Sequence, residues 1–219
     1  MRSEKTVIIA PAHDDTTTAN YRRHTSRRKI ITNGFLRQGL IRLGGAPLIE
    51  HVIKNGSNQV GQLVVIANRN SGKFEHLELP LIPDIKQAYA GPLVGILSAM
   101  YWMISAGKSP DSTYLACFPV DVPCFPDTLI KQLTRALETQ GKRVAWSEDR
   151  GQVQPLFSLW SLETLPVIGQ AVANGQFGPK LIMPLTDNVL VKFKNTDHRH
   201  FLNINTKESL QIAESFIET

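Results

Sequence analysis

Two aspartates follow short apolar runs in a way that suits phosphate chemistry. Asp121 comes after the apolar run 113–118 and precedes Val-Pro, and Asp84 ends the sequence Ile-Pro-Asp. Open α/β sheets bind ligands outside the carboxyl ends of their strands, so we expect the Asp121 carboxylate in such a crevice. A hard oxygen ligand there suits Mg²⁺ carrying nucleotide phosphates. The alternative is a turn or helix-cap role, which is favoured for Asp84 taken alone.

Glycine and asparagine residues mark two further candidate positions. Gly91 and Pro92 stand directly before a predicted helix, whose free N–H groups and positive dipole end can hold an anion. An ordinary loop is the alternative, because glycine and proline are common there. Asn203 and Asn205 precede the last predicted helix, where Asn205 or Thr206 would act as a helix cap in most proteins.

Other polar and sulfur-containing side chains carry less information. The amides of Asn68 and Gln154 could contact a ligand, although a surface loop is the default interpretation for both. Cys117 and Cys124 flank a Pro-Val-Asp-Val-Pro loop without further Cys or His at ligand spacing, so they make a poor metal site. We expect reduced, structural cysteines, as in an undirected cytosolic chain.

The elements that must position these side chains alternate between short apolar runs and amphipathic segments of helix length. This alternation, from Leu40 onward, is typical of strands joined by crossover helices. We predict an α/β fold of three layers, a mostly parallel sheet with helices on both faces, in one domain covering residues 1–219. Predicted strands cover residues 63–67, 113–118, 144–146, 155–160 and 188–193, with a short one ending at 84; predicted helices begin at Pro47, after Gly91, at Pro126 and at Lys207.

Composition narrows the functional classes. No run of eighteen uncharged apolar residues is present, so we expect neither a membrane span nor a signal peptide and predict a cytoplasmic protein. The net charge of +5 raises the possibility of a nucleic-acid partner. The basic residues are nevertheless concentrated in one run at 22–29 without interleaved aromatics, so nucleic-acid binding ranks last among the alternatives.

Several segments, in this order and at these separations, resemble the bacterial molybdenum cofactor guanylyltransferases. The resemblance covers Gly39 to the C-terminus, and Gly-Pro-Leu-x-Gly together with Asn-x-Asn-Thr is its most specific pair. Ile66 stands where the family often has asparagine. The matching segments are 43–52 (LGGAPLIEHV), 64–69 (VVIANR), 82–84 (IPD), 91–100 (GPLVGILSAM), 118–123 (FPVDVP) and 203–210 (NINTKESL).

The resemblance implies an activity, a fold and a set of site residues. The fold would be of the nucleotide-diphospho-sugar transferase type, which is Rossmann-like, and the reaction would transfer GMP from GTP to the molybdenum-pterin cofactor with release of pyrophosphate. Asp121 would bind Mg²⁺ and the GTP phosphates and act as the catalytic residue. The other implied ligands of the nucleotide are Asp84, Gly91, Pro92, Asn68 and, at the position of the family lysine, Gln38; Asn203 and Asn205 would contact the acceptor substrate.

The resemblance also implies partners and leaves alternatives. GTP and the molybdopterin cofactor would be ligands, with other cofactor-biosynthesis proteins and molybdoenzymes as partners, and neither nucleic acid nor membrane is expected. One alternative is a nucleotidyltransferase with another acceptor, such as a sugar phosphate, or a CTP-using pterin cofactor enzyme. A second is an inactive relative, because the glycine-rich loop of the family is missing from this chain.

Residues 1–38 are atypical for the family and invite a frame-error hypothesis. The family's first strand leads into Leu-Ala-Gly-Gly-x-x-x-Arg-Met and then Asp-Lys-Gly-Leu, which supplies glycines and a lysine for the triphosphate. With suitably chosen codons, Arg23 to Gln38 read one base later give VILAGGKSSRMDFYDK, directly abutting Gly39. The sequence obtained in the shifted frame also lacks the concentrated run of basic residues at 22–29. A genuine, divergent N-terminus is the alternative. We favour the frame error, because the local sequence of a protein is expected to agree with the fold that the rest of the chain indicates.

Overall fold

A seven-stranded sheet organises the chain in the computed structural model, which describes residues 4–10, 38–67, 71–85, 91–194 and 197–217. The strand order is β5-β4-β1-β6-β8-β7-β9, and β2 and β3 form a separate hairpin. The strands are β1 (Glu4–Ala10), β2 (Arg42–Leu43), β3 (Ala46–Pro47), β4 (Gln62–Ile66), β5 (Leu81–Ile82), β6 (Thr113–Pro119), β7 (Val144–Asp149), β8 (Gln152–Ser161) and β9 (Asn188–Phe193). The α-helices are α1 (Leu48–Ser57), α2 (Pro92–Ser105), α3 (Leu129–Gln140), α4 (Leu165–Ala173), α5 (Pro179–Ile182) and α6 (Lys207–Ser215).

Most neighbouring strands in the sheet run parallel. The pairs β5·β4, β4·β1, β1·β6 and β7·β9 are parallel, and only β8 runs antiparallel to both of its neighbours. Parallel strands end at the same edge of a sheet, so the segments after β1, β4, β5 and β6 all emerge together. This edge is where the predicted α/β fold expects its ligand.

Each face of the sheet carries its own apolar layer. Successive side chains of a strand point to opposite faces, and in β4 this sends Val65 to one layer and Val64 to the other. Helices α1 and α3 contribute to the layer that contains Val65, whereas α2 and α4 contribute to the layer that contains Val64. Three layers with helices on both faces therefore confirm the predicted fold class.

Strand β8 contains an irregularity that matters for the site. Trp146 pairs with Ser158, whereas the next residue, Ser147, pairs with Gln154, so the register shifts across residues 155–157. Pro155 has no N–H to donate to the ladder, and proline in a sheet is confined to edges and bulges. Bulges of this kind re-aim side chains and are frequent next to active sites. Gln154 consequently lies on a strand and not, as expected from the sequence, on a surface loop.

The predicted elements agree with the structure best where the apolar pattern was strongest. The strand at 188–193 has the predicted bounds, and α2 begins directly after Gly91, as predicted. Pro47 precedes α1 as its N-cap instead of lying in its first turn. Helix α3 starts three residues after Pro126, because a turn with a Leu129 N–H to Pro126 O bond of 3.1 Å comes first. Helices α4 and α5 were not predicted.

The structure also shows the first strand of the sheet and the state of the two cysteines. Glu4–Ala10 pairs in parallel register with β4 and β6, so this segment is a strand at the centre of the sheet. Both cysteines are free thiols, and burial raises the pKa of Cys117 to about 12, which agrees with a structural role. Among the described residues, no helix has the length and apolar character needed to cross a bilayer.

Two helical glycines should respond in opposite ways to replacement by alanine. A Cβ at Gly56 in α1 would come within 2.6 Å of the Phe118 ring, which is fully buried, whereas a Cβ at Gly169 in α4 would meet only the Tyr101 hydroxyl at 3.9 Å. We expect Gly56→Ala to lower the free energy of unfolding by about 1–3 kcal/mol through overpacking. Gly169→Ala should raise it by up to about 1 kcal/mol through helix propensity. Urea denaturation of both variants tests this, and equal effects would contradict the packing.

Candidate active site

Asp121 lies just beyond the carboxyl end of β6, and its carboxylate is buried. It follows β6 by two residues, as the sequence predicted, and only 1% of its surface is exposed. Neither carboxylate oxygen has a hydrogen-bond partner within the part of the chain that the structure describes. A buried carboxylate without partners is costly, so the site calls for a cation or a proton.

Burial sets the protonation behaviour of Asp121. Loss of solvation raises the pKa of its carboxyl group from 3.8 to about 6, because the charged form is disfavoured away from water. The backbone of Asp121 and the nearby side chain of Asn203 oppose the rise without cancelling it. The carboxylate therefore needs a positive partner near neutral pH more than an ordinary aspartate does.

The segment that carries the two predicted asparagines runs directly past Asp121. Phe201 adopts a left-handed backbone, φ 62, and its N–H donates to Cys124 O at 3.0 Å. The N–H of Ile204 then donates to Asp121 O at 2.8 Å, and the Ile204 side chain is buried. Since side chains alternate along an extended segment, Asn203 and Asn205 point away from the side on which Ile204 is buried.

Gln38 joins this group from the other end of the chain. Its Nε2 donates to Asn205 Oδ1 at 2.9 Å, and only 8% of its surface is exposed. Gln38, Asp121, Asn203 and Asn205 are thus brought together from three distant segments. Position 38, where the resemblance implies a lysine, therefore lies beside this group of residues, although the glutamine here carries no charge.

Asp84 lies at a different part of the same edge. Strands β4 and β1 separate β5 from β6, and three strand spacings amount to roughly 14 Å. The N–H of Ile85 donates to Ser98 Oγ at 2.9 Å, which ties the segment after Asp84 to α2. At about that separation we expect Asp84 and Asp121 not to share one cation, so a role for Asp84 would be contact with another part of a bound ligand.

The segment at Gly91 and Pro92 differs from its predicted form. The N–H of Leu93, the first in α2 after the proline, donates to Phe177 O at 3.0 Å, so this donor is engaged within the protein. Gly91 has φ 126, and a Cβ there would come within 2.8 Å of Phe177 O. Close backbone approach thus requires the glycine, and phosphate binding by Gly91 and Pro92 stays a prediction. Asn68 lies outside the described residues.

A cleft of about 680 Å³ opens beside Asp121. Sequence reasoning missed most of its lining, because β8 and α5 reach it from residues far apart in the chain. Within this lining, Asp121, Gln154 and Asn203 are the residues that the sequence had marked as candidates. The polar and charged side chains along it are those of Asp121, Gln152, Gln154, Lys180 and Asn203, and the apolar ones include Leu156, Phe157, Met183 and Phe201.

The residues at this edge fit a magnesium ion that is shared with a substrate. The buried, unpartnered carboxylate of Asp121 offers hard oxygen atoms, which Mg²⁺ prefers. No group of three or more His, Cys, Asp or Glu that could hold a metal is found among the described residues. A bound ion would therefore be held by Asp121 together with phosphate oxygens and water, the usual arrangement for nucleotide-bound Mg²⁺.

The fold and the position of the site define the class of protein. The sheet is that of the nucleotide-diphospho-sugar transferase fold. In this chain the buried carboxylate of Asp121 lies just beyond the carboxyl end of β6. Residues 32–188 match the MobA-like NTP transferase domain family, and the chain belongs to that family.

Relatives of known name agree with this assignment. The chain is 30% identical over 188 residues to a molybdenum cofactor guanylyltransferase of Cupriavidus metallidurans, covering 81% of this chain and 86% of the relative. It is 32% identical over 181 residues to that of Yersinia pestis, strain Pestoides F, with the same coverage.

Solved structures share the fold. Molybdopterin-guanine dinucleotide biosynthesis protein A from Archaeoglobus fulgidus superposes with a TM-score of 0.72 at 17% identity, covering 98% of both chains. The 2-C-methyl-D-erythritol 4-phosphate cytidylyltransferase of Thermus thermophilus has a TM-score of 0.64 at 13% identity, covering 97% of this chain and 98% of the other.

The raised pKa of Asp121 predicts that the free energy of unfolding decreases as the pH rises and the buried carboxyl group ionises. The folded state binds the proton more tightly than the unfolded state, so the stability conferred by protonation is complete below pH 3.8 and is lost as the pH rises through about 6. Asp121→Asn cannot ionise. In metal-free buffer we expect this variant to exceed the native chain in unfolding free energy by about 3 kcal/mol at pH 8 and to match it near pH 4.

The matched control is Glu138→Gln on the exposed face of α3, which makes the same change from acid to amide. Urea denaturation at both pH values should give no pH-dependent difference for this control. A difference for Asp121→Asn that does not change between pH 4 and pH 8 would contradict the burial of an ionised carboxylate.

Proposed function

We propose that the intact gene product transfers GMP from GTP to the molybdenum-pterin cofactor. The observation that carries the proposal is the convergence of Gln38, Asp121, Asn203 and Asn205 beside an open cleft, in a member of a nucleotidyltransferase family. Relatives that bear the name molybdenum cofactor guanylyltransferase support the choice of nucleotide and acceptor. We treat the chain as one domain for this function.

The reaction forms one phosphorus–oxygen bond and breaks another. An oxygen of the terminal phosphate of the pterin attacks the α-phosphorus of GTP, and the bond from that phosphorus to the bridging oxygen breaks, so pyrophosphate leaves. Bound Mg²⁺ would neutralise charge on the phosphates. The protein's share is largely positioning and electrostatics, because phosphoryl-type transfer needs little covalent chemistry from the enzyme.

Each residue of the site has a role in this reaction. Asp121 would hold the metal, which would supply positive charge to the triphosphate, and its raised pKa makes metal-free Asp121 prone to protonation below pH 6. Asp84 contacts the nucleotide farther along the sheet edge. Asn203 and Asn205 orient the acceptor with amides that both donate and accept hydrogen bonds.

The frame error at residues 23–38 forms part of the proposal. The family match begins at residue 32, so residues 1–31 lie outside it, which supports an atypical sequence before that residue. In the shifted text a glycine loop precedes position 38 and a lysine occupies it. The buried hydrogen bond of Gln38 supports a place for that lysine inside the site.

The cytoplasmic location and the protein partners stay predictions within this proposal. GTP and the pterin cofactor are its small-molecule ligands. Binding to cofactor-biosynthesis proteins and molybdoenzymes is carried over from the family resemblance alone.

Removing the Asp121 carboxylate should abolish transfer without unfolding the protein. In a chain restored to the shifted reading at residues 23–38, we expect Asp121→Ala to lower the rate of GMP transfer at least about 100-fold, as for loss of a key electrostatic group. Release of pyrophosphate and formation of the dinucleotide are the readouts. Glu138→Ala on α3 is the control, and turnover retained by Asp121→Ala would sink the assignment. Transfer from CTP, or to a sugar phosphate, would instead favour the alternatives.

A positive charge at position 38 should improve nucleotide binding by the printed chain, that is, the protein with the unshifted sequence at residues 23–38. We expect Gln38→Lys to raise its affinity for Mg-GTP about tenfold, because a charge-assisted contact to phosphate replaces a neutral amide. Equilibrium dialysis with GTP measures the change. Gln132→Lys on the exposed side of α3 is the matched control and should bind as the native chain does. Equal affinities for all three proteins would remove position 38 from the nucleotide site.

A further inference from the structure

The loop that carries Asp121 is held on two sides by hydrogen bonds to its backbone carbonyls. It joins β6 to α3, and it contains Pro123 and Pro126, which have no N–H to donate. Every residue from 121 to 126 except Cys124 is buried. Buried carbonyls need donors, so the groups that supply these donors determine where the loop and the Asp121 carboxylate lie.

The first side is held by the backbone of residues 201–204. The Phe201 N–H donates to Cys124 O at 3.0 Å, and the Ile204 N–H donates to Asp121 O at 2.8 Å. This donor segment is itself irregular, since residues 201–204 belong to neither a helix nor a strand. These two bonds therefore tie the loop to a piece of chain that has no regular backbone hydrogen bonding of its own.

The second side is held by two amide side chains at the end of α1. Asn55 Nδ2 donates to Pro123 O at 2.6 Å, and Gln59 Nε2 donates to Pro126 O at 3.1 Å. Asn55 lies in α1, and Gln59 follows its end by two residues, where its N–H still donates to Gly56 O at 2.9 Å. The amides thus connect the loop to a regular helix that packs on the sheet.

Gln59 also connects the loop to the start of α3. Its Oε1 accepts from the Ile130 N–H at 3.1 Å, in the first turn of that helix. Among the described residues, the N-cap residue Thr128 makes no side-chain cap bond of its own to α3. Gln59 therefore supplies from α1 the acceptor that a local cap would provide, while its Nε2 holds the end of the loop.

These short side chains reach the loop because α1 approaches β6 closely. Gly56 stands between the two amides in the sequence, and a Cβ there would come within 2.6 Å of the Phe118 ring. Phe118 lies in β6, three residues before Asp121. The end of α1 is consequently pressed against the end of the strand from which the Asp121 loop emerges.

We infer that Asn55 and Gln59 are positioning residues, which hold the 121–126 loop from α1 and thereby fix the Asp121 carboxylate at the end of β6. Both act on Asp121 through backbone carbonyls, so neither is a catalytic residue. Their importance for GMP transfer rests on the proposed function. The hold on the loop does not, because it is a property of the folded chain alone.

Two isosteric variants test this hold in the printed chain. At pH 7, Asn55→Asp and Gln59→Glu replace an amide donor by a carboxylate that can only accept hydrogen bonds. We expect each variant to exchange the Phe201 and Ile204 amide hydrogens about tenfold faster, because the carbonyls that they contact are no longer held from the opposite side. Hydrogen exchange followed by NMR resolves these amides individually.

Other amides separate positioning from a merely structural effect. In Gln59→Glu the carboxylate still accepts from the Ile130 N–H at a helix N-terminus, so exchange of Ile130 should stay as in the native chain. Ala116 lies in the central strand β6 and reports global opening, so its exchange should rise less than that of Phe201 and Ile204. The matched control is Gln140→Glu at the exposed end of α3, which should leave exchange of Phe201 and Ile204 unchanged.

The consequence for transfer is measured in the chain restored to the shifted reading at residues 23–38. In Asn55→Asp and Gln59→Glu we expect the Mg²⁺ concentration for half-maximal transfer to rise about tenfold, because a displaced carboxylate holds a cation less tightly. Gln140→Glu should need as much Mg²⁺ as the native chain does. A restored native chain without any transfer counts against the proposed function, and the exchange rates then decide whether α1 holds the loop.

Three results would overturn the inference. Unchanged exchange of Phe201 and Ile204 in both variants would mean that the 201–204 segment fixes the loop without α1. An equal rise at Ala116 would reduce the two amides to a contribution to overall stability. An unchanged Mg²⁺ requirement in active, restored variants would remove Asn55 and Gln59 from the positioning of Asp121.

Discussion

The burial of the Asp121 carboxylate is the constraint on which the rest of the site depends. The group is fixed at the end of a central parallel strand, and the hydrogen bond from Ile204 holds the 203–205 segment against it. Enclosure removes water from both oxygens and raises the pKa of the carboxyl group to about 6. The fold thereby maintains an unfavourable charge that a bound cation would stabilise, as is common where catalytic groups are tuned by burial.

The geometry around this carboxylate divides the sheet edge into two halves. Asp84 and the start of α2 lie beyond two strands on one side, whereas the cleft between β8 and α5 lies on the other. The antiparallel strand β8 lies next to Asp121, and the segment around its register shift, residues 152–157, lines the cleft. Asp121 therefore lies between two separate groups of candidate residues at this edge of the sheet.

Much of the fold could be predicted from the sequence because strands β4, β6 and β9 carry continuous apolar runs between polar segments. Helices α4 and α5 were missed because each is short and lacks a clear apolar period. Asp121, Asn203 and Asn205 were found from their positions after β6 and before α6. Lys180 was not noticed, because its position on the cleft depends on the packing of α5 against β8, which no local pattern encodes. The anchoring of Gly91 by Phe177 is a similar long-range contact.

Position 38 is where the local sequence and the global fold disagree most. Every other residue of the convergent group has the chemistry that a nucleotide site needs, yet a neutral glutamine occupies the place of a cation, hydrogen-bonded to Asn205. A neutral residue at this position, within a site that is otherwise consistent, indicates either a loss of function or a shifted reading frame in this stretch.

The most direct measurement follows GTP labelled at its α-phosphorus, incubated with Mg²⁺ and the phosphorylated molybdenum-pterin acceptor. The printed chain is compared with the chain restored to the shifted reading at residues 23–38. The account predicts that the restored chain moves the label onto the pterin and releases unlabelled pyrophosphate, while the printed chain does so feebly or not at all. Label that remains in GTP with both chains would contradict a guanylyltransferase site at Asp121.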